Sequence, residues 1–65
     1  MNKLRDLRKK NKVTVATLAE EVLNISSTYY YELEKGEKRL NETHLKNLAD
    51  FYGVSTDLIL GRAST

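Results

Sequence analysis

LAEEVLNISSTYYYELEKG, residues 18–36, holds two short helices and a tight turn between them. In the first helix, Leu18, Ala19 and Val22 recur at i, i+1 and i+4 and share one side. Asn24 ends that run. Asparagine tolerates a left-handed backbone, so it can close a helix and turn the chain. Ser26 is a good N-cap for the second helix, because its hydroxyl can accept from an unpaired amide in the next turn. That helix spans about 27–34 and stops at Gly36. Tyr30 and Leu33 share its inner face at i, i+3. Ser27, Thr28, Tyr31 and Glu32 point elsewhere and have nothing apolar to bury.

On the N-terminal side, a helix over about 3–11 turns Leu4 and Leu7 inward. Val13 is a core anchor and Thr14 caps the helix over 15–23. On the C-terminal side, Asn41 caps a helix over 42–52. Its inward stripe is Leu45, Leu48, Ala49 and Tyr52, at i, i+3, i+4 and i+7, with Phe51 beside it. Gly53 stops this helix. Ser55 caps a last helix over 56–60, and Asp57 complements its positive end. Leu58, Ile59 and Leu60 are too many apolar residues for so short a helix to bury alone. A patch at Leu58 or Leu60 is therefore expected to serve as a dimer surface. The tail, residues 62–65, is expected to fray.

Composition narrows the class. The chain has 65 residues and 40% hydrophobic content, enough for one small domain with one core. Such a chain buries only about 60% of its unfolded surface, so its stability is marginal unless it packs efficiently or dimerises. With 0 cysteines, disulfides and thiolate metal sites are excluded, which suits a reducing cytoplasm. No apolar run reaches the roughly 20 residues that span a bilayer. No apolar stretch succeeds the first basic residues, so no secretory signal is expected. Net charge is only +2, but Lys3, Arg5, Arg8, Lys9, Lys10 and Lys12 place six of eleven basic residues in the first twelve positions. Lys35, Lys38 and Arg39 form a second cluster at the Gly36 turn. Alone, such clusters are most simply solvated faces; beside a helix-turn-helix they point to nucleic acid.

The pattern L-A-E-x-V…I-S-x-x-Y-x-x-x-L-E-K-G resembles the helix-turn-helix of the Cro/CI-type repressor family, the xenobiotic-response-element group of regulators. The resemblance extends to Leu4-Arg5-Asp6-Leu7-Arg8, to Leu45-Lys46-Asn47-Leu48-Ala49 and to residues 53–61, and so covers roughly 3–61. It implies an all-α, five-helix, lambda-repressor-like fold, with helix three as the DNA-recognition helix. It also implies a structural ion pair between Arg8 and Glu34, tying helix one to the end of helix three. The loop carrying Lys35, Lys38 and Arg39 would then lie on the DNA backbone, with Thr14, Tyr29 and Asn41 also at phosphates.

A recognition helix needs polar side chains free to reach base edges in a groove about 12 Å wide. Ser27, Thr28, Tyr31 and Glu32 fit that need. The hydroxyls donate or accept, Tyr31 can pack on thymine methyls, and Glu32 can accept from a cytosine amino group or repel wrong sites. Three features depart from the family. Val15 stands where many relatives have glutamine and is assigned to packing. Leu40 stands where proline is frequent. Ala19 and Glu34 lie fifteen positions apart, one more than in most relatives; the extra residue falls in the Val22-Leu23-Asn24 segment, and the usual turn glycine is missing. Either helix two runs one residue longer or the turn loosens, and either change rotates helix three against helix two.

Three other readings compete. Tyr29-Tyr30-Tyr31 suggests a stacking platform for bases, but consecutive helical residues diverge by about 100°. One buried and two partly exposed tyrosines is the plainer expectation. His44, the one histidine, has no companions at ligand spacing, so a surface position is expected and no metal. No catalytic arrangement can be assembled, so no enzyme and no cofactor are expected. The sequence thus points to a sequence-specific regulator of duplex DNA, a homodimeric repressor on an inverted-repeat operator, with no membrane partner. The alternative is an antitoxin or other protein-interaction module on the same scaffold, bound to a toxin or protein antagonist through its last helix.

Overall fold

The computed structural model describes residues 2–62. Among them are five helices and no strand: α1 (Leu4–Lys10), α2 (Thr17–Leu23), α3 (Ser27–Lys35), α4 (Glu42–Tyr52) and α5 (Thr56–Leu60). Of the tail expected to fray, residues 63–65 lie outside the described residues.

Helices this short leave most terminal amides and carbonyls without internal partners, so their ends decide whether they form. Ser26 Oγ accepts from the Tyr29 amide at 3.1 Å, Asn41 Oδ1 from that of His44 at 2.7 Å, and Ser55 Oγ from that of Leu58 at 3.1 Å. Thr14 Oγ1 accepts from the Thr17 amide at 3.1 Å and so caps the helical turn, residues 15–16, that leads into α2. At the other ends, left-handed residues reverse the chain. Gly36 stands at φ +83° after α3, where a Cβ would meet nothing within 4 Å. Backbone conformation, not crowding, calls for glycine there. Lys12 does the same work after α1 at φ 55°. The Val13 amide reaches the Arg8 carbonyl at 3.1 Å and the Lys12 amide that of Lys9 at 3.2 Å, the bonding of a Schellman turn.

The core is built from every helix. Leu4, Leu18, Ala19, Leu23, Tyr30, Leu33, Leu48, Ala49 and Ile59 are buried. α2 packs on α3 and α4, and α4 packs on α5. The Lys3 amide donates to the Ile59 carbonyl at 2.9 Å, which joins the two ends of the fold.

Several expectations change in detail. α2 is a π-helix, with i→i+5 bonding, rather than a longer α-helix or a loosened turn. In place of Val22, Leu23 is the residue that is enclosed, and Val22 is half-buried. Val13 lies at the core's margin, half-buried and packed against it. In α4 only Leu48 and Ala49 are fully inside, Leu45 and Tyr52 are half-buried, and Phe51 is 44% exposed. His44 is not a free surface residue. It is half-buried, with its ring edge-on to that of Tyr29, centroids 6.2 Å apart.

Candidate nucleic-acid interface

α3 presents the two faces its sequence requires. Tyr30 and Leu33 are fully buried, and Ser27, Thr28 and Tyr31 are exposed, Tyr31 by 46%. Glu32, expected on the bare polar face, is instead half-buried at the boundary between the two faces. Tyr29, on the flank, packs against the core and against His44. The three consecutive tyrosines therefore form no platform. The Tyr30 and Tyr31 rings are inclined by 67° with centroids 6.4 Å apart. The first turn of α3, which carries Ser27 and Thr28, is held by the Ser26 cap and is not covered by any other part of the described chain.

The far end of α3 is fastened to α1. Arg8 Nε donates to Glu34 Oε2 at 2.6 Å and Arg8 Nη2 to Glu34 Oε1 at 3.1 Å, so the guanidinium grips both carboxylate oxygens. The Glu34 side chain is 6% exposed and that of Arg8 19%. Burial alone would raise the Glu34 pKa, but the Arg8 hydrogen bonds and charge outweigh it and hold the carboxyl below its ordinary value. Arg8 is correspondingly raised, chiefly by its hydrogen bond to Glu34. Beside this pair, burial raises the neutral hydroxyl of Tyr30 strongly, and that of Tyr52 to about 12.

Asn2, which has no place in the sequence-based site, adds a second fastening. Its Oδ1 accepts from the Leu4 amide at 3.1 Å and its Nδ2 donates to the Leu33 carbonyl at 2.8 Å. An asparagine two residues before a helix start is the available signal. Arg5, in sequence only one cation of the N-terminal cluster, lies with Tyr31 and Lys35 along a cleft of about 580 Å³ between α1 and α3.

The remaining singled-out residues fall in two places. Lys35, Lys38, Arg39 and Asn41 are exposed around the turn from α3 to α4, where Gly36 reverses the chain. Thr14 is exposed at the start of the helical segment that precedes them in sequence, its hydroxyl 3.0 Å from that of Thr17. Leu58 and Leu60 flank the buried Ile59 and are each half-buried. Leu60 lines a groove that also holds Lys38 and Arg39.

This is a capped, two-faced helix behind a tight turn, with cations beside its exposed face. A Helix-turn-helix family model matches residues 4–59. The chain belongs to the Cro/CI-type helix-turn-helix family. No curated protein and no solved structure matches it. Membership makes the protein a helix-turn-helix DNA-binding regulator in which α2 and α3 are the motif, α3 standing second. Among the described residues no helix is long and apolar enough to cross a membrane.

Proposed function

We propose that this helix-turn-helix protein is a sequence-specific repressor that binds an inverted-repeat operator as a homodimer. One observation carries the reading. α3 buries Tyr30 and Leu33 but leaves Ser27, Thr28 and Tyr31 bare on a rigid, capped helix. Polar side chains pre-positioned in this way suit base edges in the major groove. Ser27, Thr28, Tyr31 and Glu32 read bases. Lys35, Lys38, Arg39, Thr14, Tyr29 and Asn41 hold the backbone, which fixes register without reading sequence. Two copies, joined through Leu58 and Leu60, set their recognition helices about 34 Å apart on one face of the duplex. Bound there, the dimer represses by occluding polymerase, in the cytoplasm.

Selection of bound sequences from random duplexes tests this directly. A two-fold symmetric site is the expected result; recovery of no preferred sequence would remove the regulator reading. With the selected duplex, Thr28→Ala and Tyr31→Ala should weaken specific binding more than non-specific binding. Lys38→Ala should weaken both about equally.

A further inference from the structure

The wide bonding of α2 has a cause in its core residues. Leu18, Ala19 and Leu23 are its enclosed members. In an α-helix, residues five apart lie about 140° from each other around the axis. Leu18 and Leu23 could not both face the core. Bonds from i to i+5 bring residues at that spacing onto one side. The closing turn is wider still, spanning five and then six residues. The amide of Asn24 donates to the Ala19 carbonyl, and that of Ile25 does so at 2.7 Å, with Asn24 left-handed at φ 56°.

Both flanks of this segment are held as well. Its start is held by Thr14, whose hydroxyl caps the Thr17 amide and whose carbonyl accepts from Leu18 at 3.2 Å. α3 is held by buried Tyr30 and Leu33, by the Arg8–Glu34 pair and by Asn2 on the Leu33 carbonyl. A stretch held at both ends, with its enclosed leucines five positions apart, widens to bring them onto one side. The residues on its open side are Glu20 and Glu21, both exposed.

We infer that α2 carries one inserted glutamate, Glu20 or Glu21, absorbed by its π-helical turns. The recognition helix thereby keeps the position that a chain one residue shorter would give it. α2 is thus a positioning element for the DNA-reading face, and this consequence rests on the proposed regulator function. Deleting Glu21 would set the two leucines four apart, about 40° from each other on an α-helix, with the left-handed asparagine still next in line.

The test uses the full chain with Glu21 deleted, alongside the parent. In the parent, NMR couplings across hydrogen bonds should run from the Asn24 and Ile25 amides to Ala19. In the deletion protein, α2 should show i→i+4 bonds, a melting temperature no lower than the parent's, and an intact Arg8–Glu34 pair. It should select the same duplex with affinity within about threefold, about half of one tenfold step in free energy. Deletion of Ile25, which closes the wide turn and packs against the core, should cost at least about tenfold. A changed site for the Glu21 deletion would overturn the inference. So would α-helical bonds in the parent, or failure of both the Glu20 and Glu21 deletions to fold. Should the parent select no duplex, the regulator reading falls. The couplings and the melting of the deletion proteins then decide the insertion by themselves.

Discussion

Arg8 and Glu34, 26 residues apart in the chain, hold the end of α3 against α1. Glu34 is nearly enclosed, so removing its partner strands a carboxylate rather than merely losing an attraction. Arg8→Ala should cost about 2–3 kcal/mol and lower the melting temperature by roughly 10–20 °C, read by calorimetry; an unchanged melting point would deny the pair a structural role. The pH dependence has a definite sign. The Glu34 pKa is lower folded than unfolded, so its contribution is fully present above the ordinary carboxylate pKa and lost as pH falls through the folded value. The gap between parent and Arg8→Ala should therefore shrink on acidification below about pH 4. Lys12 supplies a second test at this scale. It occupies a left-handed conformation that costs a side-chain-bearing residue about 1–2 kcal/mol. Lys12→Gly should stabilise the fold by about 0.5–1 kcal/mol, measured by urea unfolding. The conformation is not legible in the sequence, since lysine gives no turn signal of the kind Asn24 and Gly36 give.

Among the elements, those with ordinary periodicity and clear caps are readable. Ser26, Asn41 and Ser55 each announce a helix start, and each accepts the amide three residues on. α2 is misread when a 3.6-residue period is applied to a helix that does not have it. That period selects Val22, whereas the wider turn encloses Leu23. Two alanine substitutions should therefore rank in a definite order. Leu23→Ala should cost about 2–4 kcal/mol, and Val22→Ala about 1 kcal/mol, by the same unfolding measurement. The reverse order would indicate an α-helical α2. The spacing of fifteen positions from Ala19 to Glu34 is itself legible. Its accommodation is not, because that depends on how firmly both flanks are held. Tyr29 and His44 show the same limit, since their edge-on contact joins two helices and has no signature in either one.

For the molecule as a whole, the fold is legible because α3, α4 and α5 repeat the same instructions of side-chain cap, apolar stripe and left-handed glycine stop. The candidate interface is legible as a polar face on α3 near cations. Two measurements act at this scale. Binding to the selected duplex should weaken steeply with salt, log affinity falling by about 0.9 per phosphate neutralised for each unit of log salt. Lys38→Ala should reduce that slope by about one. Stability should also fall in alkali. Tyr52 has its hydroxyl raised to about 12, and burial raises Tyr30 further. A raised tyrosine pKa leaves full stability below about pH 10 and removes it as pH climbs toward the folded value.

The regulator reading turns on the bare face of α3 being the surface that DNA covers. Amide chemical shifts during titration with the selected duplex address it most directly. The largest changes should fall on Ser27, Thr28 and Tyr31, with Lys38 and Arg39 next and the outer face of α4, at Lys46 and Asp50, unmoved. Changes confined to α4 and α5, with α3 silent, would contradict it.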